Sequence, residues 1–377
     1  MTLGLLPALG GGLRELASSG QVARLVDGYM RPYAAAFDRL LYFSYHAEAL
    51  TEFTDDPLLL ERARVLGPHR PMSRARRAVT LAWTHAPELR QCAVLRVFQV
   101  TGVIPALIAG ARFGVPYVTT YGFWYGRLSR PGPKRLVKAA VERVGLRRAA
   151  AVIATTPELQ ARAAALNARV ELIPNGVDTA RFAPAGERRG PDGLRRVLYV
   201  GRFSPEKNLP ALLRAAALLR GRLPFALVLV GAGPLEAALR DESRRTGVPV
   251  EFPGVVDQRD LPAAYAAADA FVLASFTEGH PKVLLEAMAA GVPCVASDCA
   301  GNRSLVADGA TGLLFDARRP EALAACLERV LTDETLAASV AKAARDLVVA
   351  RYDLAALVAR EIALLRTVAR DGAPAGR

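Results

Sequence analysis

Short uncharged apolar runs, each followed by a helix-length segment, recur from one end of the chain to the other. Strand–helix–strand alternation of this kind joins parallel strands, so it restricts the fold to the parallel-sheet α/β class. In the first half the expected strands are 1–9, 39–44, 78–83, 94–100, 115–120 and 150–154. The expected helices are 13–36, 104–113 and 134–148, and a further short strand breaks into a turn at Leu172-Ile173-Pro174-Asn175-Gly176. The alternation pauses at 183–196, which is rich in Pro, Gly and charge, and then restarts. Strands follow at 197–200, 226–230, 250–252, 270–274 and 292–296, with helices at 209–220, 235–246, 261–268, 281–291, 320–331, 336–350 and 354–370. Two domains are therefore expected, 1–182 and 183–353. A final helix lies within 354–377, and residues 371–377 are expected to fray.

A chain of 377 residues is long enough for two such domains. A hydrophobic share of 52% against 23% charged residues excludes a disordered chain. The four cysteines, Cys92, Cys294, Cys299 and Cys326, form no C-x-x-C pair and no zinc spacing, which fits buried free thiols in a reducing, cytoplasmic compartment. No basic region precedes the apolar start, so no signal peptide is expected. The longest uncharged run, 97–111, is shorter than the ~20 residues of a spanning helix. The net charge of +13 is uneven: through Ala180 there are 23 Lys+Arg against 13 Asp+Glu, a surplus of ten. Arg62, Arg64, Arg70, Arg74, Arg76 and Arg77 form one cluster. Arg127, Arg130, Lys134, Arg135, Lys138, Arg143, Arg147 and Arg148 form another. Solvated faces explain such runs as well as an anionic partner does. Interleaved aromatics are few and no nucleic-acid motif is present, so an anionic membrane surface is the partner expected over nucleic acid.

Residues 275–298 carry the densest chemistry. An apolar strand runs into a polar turn holding Glu278. Pro281 then starts a helix that contains Glu286 and stops at Gly291. The turn faces a helix N-terminus, whose unpaired N–H groups attract anions. Carboxylates beside an anion site make sense for a ligand with hydroxyls as well as phosphate. A Glu pair alone is also compatible with a loop acid and a surface helix residue. The fuller order, Glu278-Gly279-His280-Pro281-Lys282-Val283-Leu284-Leu285-Glu286-Ala287-Met288-Ala289, resembles the E-x7-E signature of retaining glycosyltransferases of family 4. The resemblance implies that Glu278 contacts the donor sugar and Glu286 the nucleotide ribose, with Gly279, His280, Pro281, Lys282 and Val283 also at the donor. His280 either donates to the diphosphate or sugar, or fills a structural place at the helix start.

Gly201-Arg202-Phe203-Ser204-Pro205-Glu206-Lys207-Asn208 offers an independent electrostatic argument. Arg202 and Lys207 lie at the positive end of the helix that follows, where cations are disfavoured by about 0.3–1 kcal/mol, unless all converge on one diphosphate. Asn208 is placed to cap that helix. The segment resembles the family's G-R-x-x-x-x-K-N, whose Arg and Lys bind the donor diphosphate. Gly231, in the next strand-end turn, and Val255, in a segment resembling the one that approaches the base, complete the implied donor contacts. Gly10-Gly11-Gly12 resembles the family's glycine-rich loop, so Gly11 and Gly12 are expected at the acceptor or cleft wall. Tyr121, in the run Tyr121-Gly122-Phe123-Trp124-Tyr125, is expected there too, though many relatives place a His at this point. So is Asn175, in a segment resembling the family's I-P-N-G-V-D. Where relatives have Gly-Gly-x-x-Glu, this chain has Ala300, Gly301 and Ser304.

The chain holds no G-x-S-x-G elbow, no G-x-x-x-x-G-K-[ST] loop, no D-x-D and no metal spacing among its four His. A departing diphosphate would then be neutralised by Arg202, Lys207 and helix dipoles, with no metal and no cofactor. The resemblance implies a GT-B fold, two facing Rossmann-like domains with a cleft between them. It implies that the last helix crosses back to the first domain and that the basic N-terminal domain takes the acceptor. The expected activity is metal-independent, retaining transfer of a hexosyl unit from a UDP- or GDP-sugar to a glycan or lipid-linked acceptor, by a protein peripheral at the inner face of the membrane. A sugar-nucleotide epimerase on the same fold and a non-catalytic membrane-surface binder are the alternatives.

Overall fold

The computed structural model describes residues 1–68, 70, 72–123, 132–184 and 193–372. Its contacts divide into two units, Met1–Pro174 with Ala356–Arg377, and Asn175–Ala355. The first division thus falls at the Pro174-Asn175 bond, ahead of the Pro- and Gly-rich stretch where composition puts it. Residues 185–192 of that stretch lie outside the described residues.

Unit 1 is built on seven strands: β1 (Thr2–Leu6), β2 (Arg39–Tyr42), β3 (Ala63–Val65), β4 (Cys92–Val97), β5 (Tyr117–Tyr121), β6 (Ala151–Ala154) and β7 (Val170–Leu172). They form one parallel sheet in the order β3-β2-β1-β4-β5-β6-β7. Strands such as β6 are buried on both faces, which is why they read as apolar runs without alternation. The helix expected over 13–36 is broken. Helix α1 (Leu13–Ser18) ends before Gly20, which takes a left-handed φ of 68°. After Val22–Leu25 comes a π turn at Val26–Met30, then Arg31–Ala36, where Pro32 has no N–H to continue the ladder.

The strand expected over 78–83 is instead part of helix α2 (Arg74–Thr84), and the third strand is β3. Ser73 caps the helix, its Oγ accepting from Arg76 N at 3.3 Å. Arg77, Ala78, Leu81 and Ala82 form its buried face, a helical spacing, while Val79 and Trp83, which look strand-like in sequence, face outward. Arg77 is therefore not surface charge. Its guanidinium donates to the carbonyls of Ser44 and Leu66, at 3.2 and 3.1 Å, and pins α2 to the ends of β2 and β3. Arg62 is likewise turned inward, onto Ala34 O at 3.0 Å. Helix α3 (Val103–Phe113) packs beside α2 and beside α4 (Pro133–Arg148), and Gly145 lets α4 settle on Val103.

Unit 2 has six strands, β8 (Arg195–Val200), β9 (Phe225–Val230), β10 (Val250–Gly254), β11 (Ala270–Leu273), β12 (Cys294–Ser297) and β13 (Leu313–Phe315). Their order is β10-β9-β8-β11-β12-β13, again all parallel. Its core joins Leu212, Leu213 and Ala216 of α5 (Leu209–Leu219), Tyr265 of α6 (Leu261–Ala266), and Leu285 and Met288 of α7 (Lys282–Ala289) to the sheet. In both units the strand order reverses about the first strand: β1 lies next to β4, and β8 next to β11. Crevices open at the carboxyl ends of such paired strands.

Helix α8 (Leu354–Asp371) belongs to unit 1 from Ala356 onward. Glu361 on it meets Arg96 of β4, with Arg96 Nη2 donating to Oε2 at 3.2 Å and Nε to Oε1, while the Tyr33 hydroxyl adds a third bond. Among the described residues, no helix is long and apolar enough to cross a membrane.

Candidate functional site

The carboxyl ends of β8 and β11 bring the sequence-predicted residues of unit 2 together. After β8 the chain turns at Gly201, whose φ is 153° and whose missing Cβ would lie 2.7 Å from the Tyr199 hydroxyl. Gly231, at the end of β9, has a φ of 135°, and a Cβ there would stand 2.0 Å from Gly201 O. The two turns can touch only as glycines. Gly231 N donates to Gly254 O at 2.7 Å, which sets the half-exposed Val255 beside the same edge. The loop from Gly201 is then tied across to β11. Phe276 N donates to Glu206 O at 2.9 Å, and Asn208 Nδ2 donates to Ala274 O at 3.2 Å and to Ala317 O at 2.8 Å. Asn208 does precede α5, but it takes a left-handed φ of 55° and its side chain makes this cross-strand tie in place of a cap.

The tie carries Lys207 onto Glu278. Lys207 Nζ donates to Glu278 Oε1 at 2.7 Å, and Ser275 Oγ donates to the same oxygen at 2.6 Å. Arg202 is exposed in the same loop. Its charge and that of Lys207 both act on Glu206, whose carboxyl is held below the usual range chiefly by the Ser204 hydroxyl. Neither α5 nor α7 has a side-chain cap at its N-terminus. Cations, a carboxylate and helix N–H dipoles thus meet at the reversal point of the sheet.

Glu286 is deeply buried on α7, where it accepts from Gln258 Nε2 at 3.0 Å and from the Tyr265 hydroxyl at 2.9 Å. Tyr265 also lies 3.2 Å from Val283 O. Gln258 and Tyr265 had no sequence signal, because they reach Glu286 from other elements. The same holds for Asn302, which donates to Ser297 O and Oγ, while Ser297 Oγ holds the Ser275 carbonyl under Glu278. Gly301 is legible afterwards: a Cβ there would stand 2.4 Å from Glu278 O and 2.6 Å from Gly279 O. Ser304 turns its hydroxyl onto Gly301 O at 2.6 Å.

His280 follows, with Pro281 and Lys282, at the start of α7. Its ring lies 5.4 Å from that of Tyr352, and Nδ1 has no partner among the described residues. Burial, with Lys282 adding to it, pushes its pKa down from 6.5 to about 4, so the ring is neutral at pH 7. Asn175 Nδ2 donates to His280 O at 2.7 Å. Asn175, expected at the acceptor or cleft wall, thereby supports the loop of unit 2 that carries His280.

Two other expectations for the acceptor side are corrected. Tyr121 is fully buried in the core of unit 1, its hydroxyl bonded to Glu142 Oε1 and receiving from Arg162 Nε, both at 3.0 Å. It has no free tip for a ligand. Trp124 and Tyr125 lie outside the described residues. Gly11 and Gly12 are buried, and a Cβ on Gly12 would meet His46 at 2.5 Å, Ser44 at 2.8 Å and Glu48 at 2.9 Å. The close approach these glycines permit is to the chain itself. The N-terminus of α1 is filled by Glu48, which accepts from Leu13 N at 2.8 Å and Arg14 N at 2.9 Å.

Two parallel-sheet units, the second with polar groups gathered at its reversal point, fit the GT-B class. Residues 38–181 match the model of "Glycosyltransferase Family 4", and residues 187–347 that of "Glycosyl transferases group 1". The chain belongs with the glycosyltransferases of group 1 and family 4, and carries both of their domains. Among curated proteins it is 37% identical over 202 residues to "D-inositol 3-phosphate glycosyltransferase" of Salinispora arenicola, covering 47% of this chain and 45% of that one. It is 34% identical over 218 residues to "GDP-mannose-dependent alpha-(1-6)-phosphatidylinositol monomannoside mannosyltransferase" of Mycobacterium tuberculosis, covering 53% and 56%. The chain spans about half the length of the curated relatives it matches. Among solved structures, sucrose-phosphate synthase from Thermosynechococcus elongatus superposes with a TM-score of 0.80 at 22% identity, over 98% of this chain and 100% of that one. Anabaena HepE in complex with UDP and glucose gives 0.77 at 20%, over 97% and 100%. At these identities the likeness is one of fold.

Proposed function

We propose that this chain moves a hexosyl unit from a nucleoside-diphosphate sugar to a glycan or lipid-linked acceptor, with retention of anomeric configuration and without a metal ion. The donor is held by unit 2 and the acceptor by the basic unit 1. The single observation that carries the reading is the Lys207–Glu278 contact of 2.7 Å at the β8/β11 reversal, beside uncapped helix N-termini. In the proposed reaction, the donor diphosphate takes Lys207, Arg202 and the N–H groups of the adjacent helices. Glu278, released from Lys207 and still held by Ser275, accepts hydrogen bonds from sugar hydroxyls. As the bond to the anomeric carbon breaks, negative charge grows on the diphosphate where fixed positive charge already stands, so little reorganisation is needed. Glu286, oriented by Gln258 and Tyr265, meets the ribose. The names of the relatives, one inositol phosphate glycosyltransferase and one GDP-mannose-dependent enzyme, support a nucleotide-sugar donor and a polyol or lipid acceptor. The basic balance of unit 1 supports work at an anionic membrane surface.

A thermal-shift screen of UDP and GDP tests donor recognition, since a ligand of the folded state raises Tm. One of the two should raise it selectively. With the matching sugar nucleotide, Glu278→Ala and Lys207→Ala should each lower kcat/KM by about 10²–10³-fold, and product anomer analysis should show retention. Near-normal turnover in Glu278→Ala overturns the assignment. Epimerised sugar nucleotide released without acceptor points instead to an epimerase.

A further inference from the structure

Three neighbouring helices of unit 1 share an unusual surface. α3 packs against α2 on one side and α4 on the other, forming one layer. α2 and α3 contain no Asp or Glu, and the single acid of α4, Glu142, is buried against Tyr121. Exposed basic groups include Arg74, Arg76, Arg112, Arg135, Lys138 and Arg143. Between them stand large apolar side chains in water: Leu136 is 74% exposed, Val137 63% and Trp83 48%. From Arg135 to Ala140, α4 is exposed on every side. Isolated apolar residues on a surface are ordinary, but a bare Leu-Val pair on a helix whose single acid is buried, in the same three-helix layer as an exposed Trp, marks an interaction site.

We infer that the outer face of α2, α3 and α4 docks on an anionic phospholipid surface, with Leu136 and Val137 entering the acyl boundary and the Arg and Lys heads meeting phosphates. The inference deepens the peripheral placement proposed above and names the surface that makes it. Charge complementarity selects the occupant, because each basic residue near an anionic leaflet adds to binding, while α2 and α3 carry no acid and the one acid of α4 is buried. Nucleic acid fits less well. Arg112 already covers the Trp83 ring at 5.5 Å, so that ring is not open to bases, whereas Leu136 and Val137 have no role on a phosphate backbone. Trp83 with Arg112 suits the headgroup level, where an amphipathic ring and a snorkelling cation are both satisfied.

The full chain is tested by co-sedimentation with vesicles of phosphatidylcholine alone and of phosphatidylcholine mixed with phosphatidylglycerol. Binding is expected only to the mixed vesicles. Arg135→Glu with Lys138→Glu should lower the partition coefficient at least about tenfold, and Leu136→Asp with Val137→Asp should lower it comparably. In a Trp124→Phe background Trp83 is the sole tryptophan, and its emission should shift to the blue on the mixed vesicles. Tm and the nucleoside-diphosphate shift, measured on each variant, report folding and the donor site separately. No binding to the mixed vesicles sinks both this surface and the peripheral placement, while leaving glycosyl transfer standing. Full binding by both double variants sinks this surface alone. Binding lost with charge reversal but kept with Leu136→Asp and Val137→Asp removes insertion, and tighter binding to duplex nucleic acid than to vesicles overturns the lipid assignment.

Discussion

Glu278 and His280 lie two residues apart in one turn and meet opposite electrostatic fates. Glu278 is paired with Lys207, whereas His280 is packed against Tyr352 and its Nδ1 has no partner among the described residues. The folded pKa of His280, near 4, is below its ordinary 6.5. Between those values the unfolded chain takes up a proton that the folded chain refuses, so stability falls as pH drops through 6.5 towards 4. Below about 4 the loss is complete, at about 3 kcal/mol. His280→Phe keeps a ring against Tyr352 and removes the titration. Its Tm should fall less than that of the parent between about pH 7 and about pH 5, and equal falls would place the acid sensitivity elsewhere. Local sequence order was enough to place Glu278, His280 and Glu286 together, because all three sit in one strand–turn–helix. It could not find Gln258, Tyr265 or Asn302, whose partners are distant in sequence and whose own neighbourhoods are unremarkable.

Elements were legible to different depths for a physical reason. Strands buried on both faces read as plain apolar runs, and β4, β5, β6, β9 and β11 fall where such runs predict them. α2 was hidden because its buried face is made of Arg77, two Ala and Leu81, while β-branched and aromatic residues occupy its wet side. Tertiary burial of one arginine thus overrode local propensity. α8 raises the same issue with Arg96. Its guanidinium is buried in the sheet of unit 1, and Glu361 is the carboxylate bonded to it. Glu361→Ala should cost about 3–5 kcal/mol, since a charge is left buried without its partner. Replacing both, Arg96→Met with Glu361→Leu, should recover most of that loss, because an apolar pair of similar volume needs no compensation. Urea denaturation of the single and double variants measures both. A double variant no better than Glu361→Ala would mean that the Tyr33 bond to Glu361, not the ion pair, holds the helix.

At the scale of the whole molecule, the residues proposed to hold the donor all belong to one unit. Gly201, Arg202, Lys207, Gly231, Val255, Glu278, His280 and Glu286 all fall inside Asn175–Ala355, and so do Gln258, Tyr265, Asn302 and Asn175, which orient them. The unit also has its own core, from Val177 and Phe182 through Met288 to Tyr352. Val177 and Asp353 pair as a short parallel bridge, and Thr179 Oγ1 donates to Asp353 Oδ1 at 2.6 Å, so the two ends of the segment are fastened to each other. At about 180 residues it is of a size that folds independently. Residues 175–355 expressed alone should therefore unfold cooperatively and show the same nucleoside-diphosphate-dependent rise in Tm as the full chain, with Lys207→Ala abolishing the rise in both. Transfer should be absent from the fragment, because the acceptor is assigned to unit 1. A folded fragment whose Tm ignores every nucleoside diphosphate that stabilises the full chain would show that residues of unit 1 are needed to hold the donor, and that the convergence of Lys207 and Glu278 at the β8/β11 reversal is only part of the site.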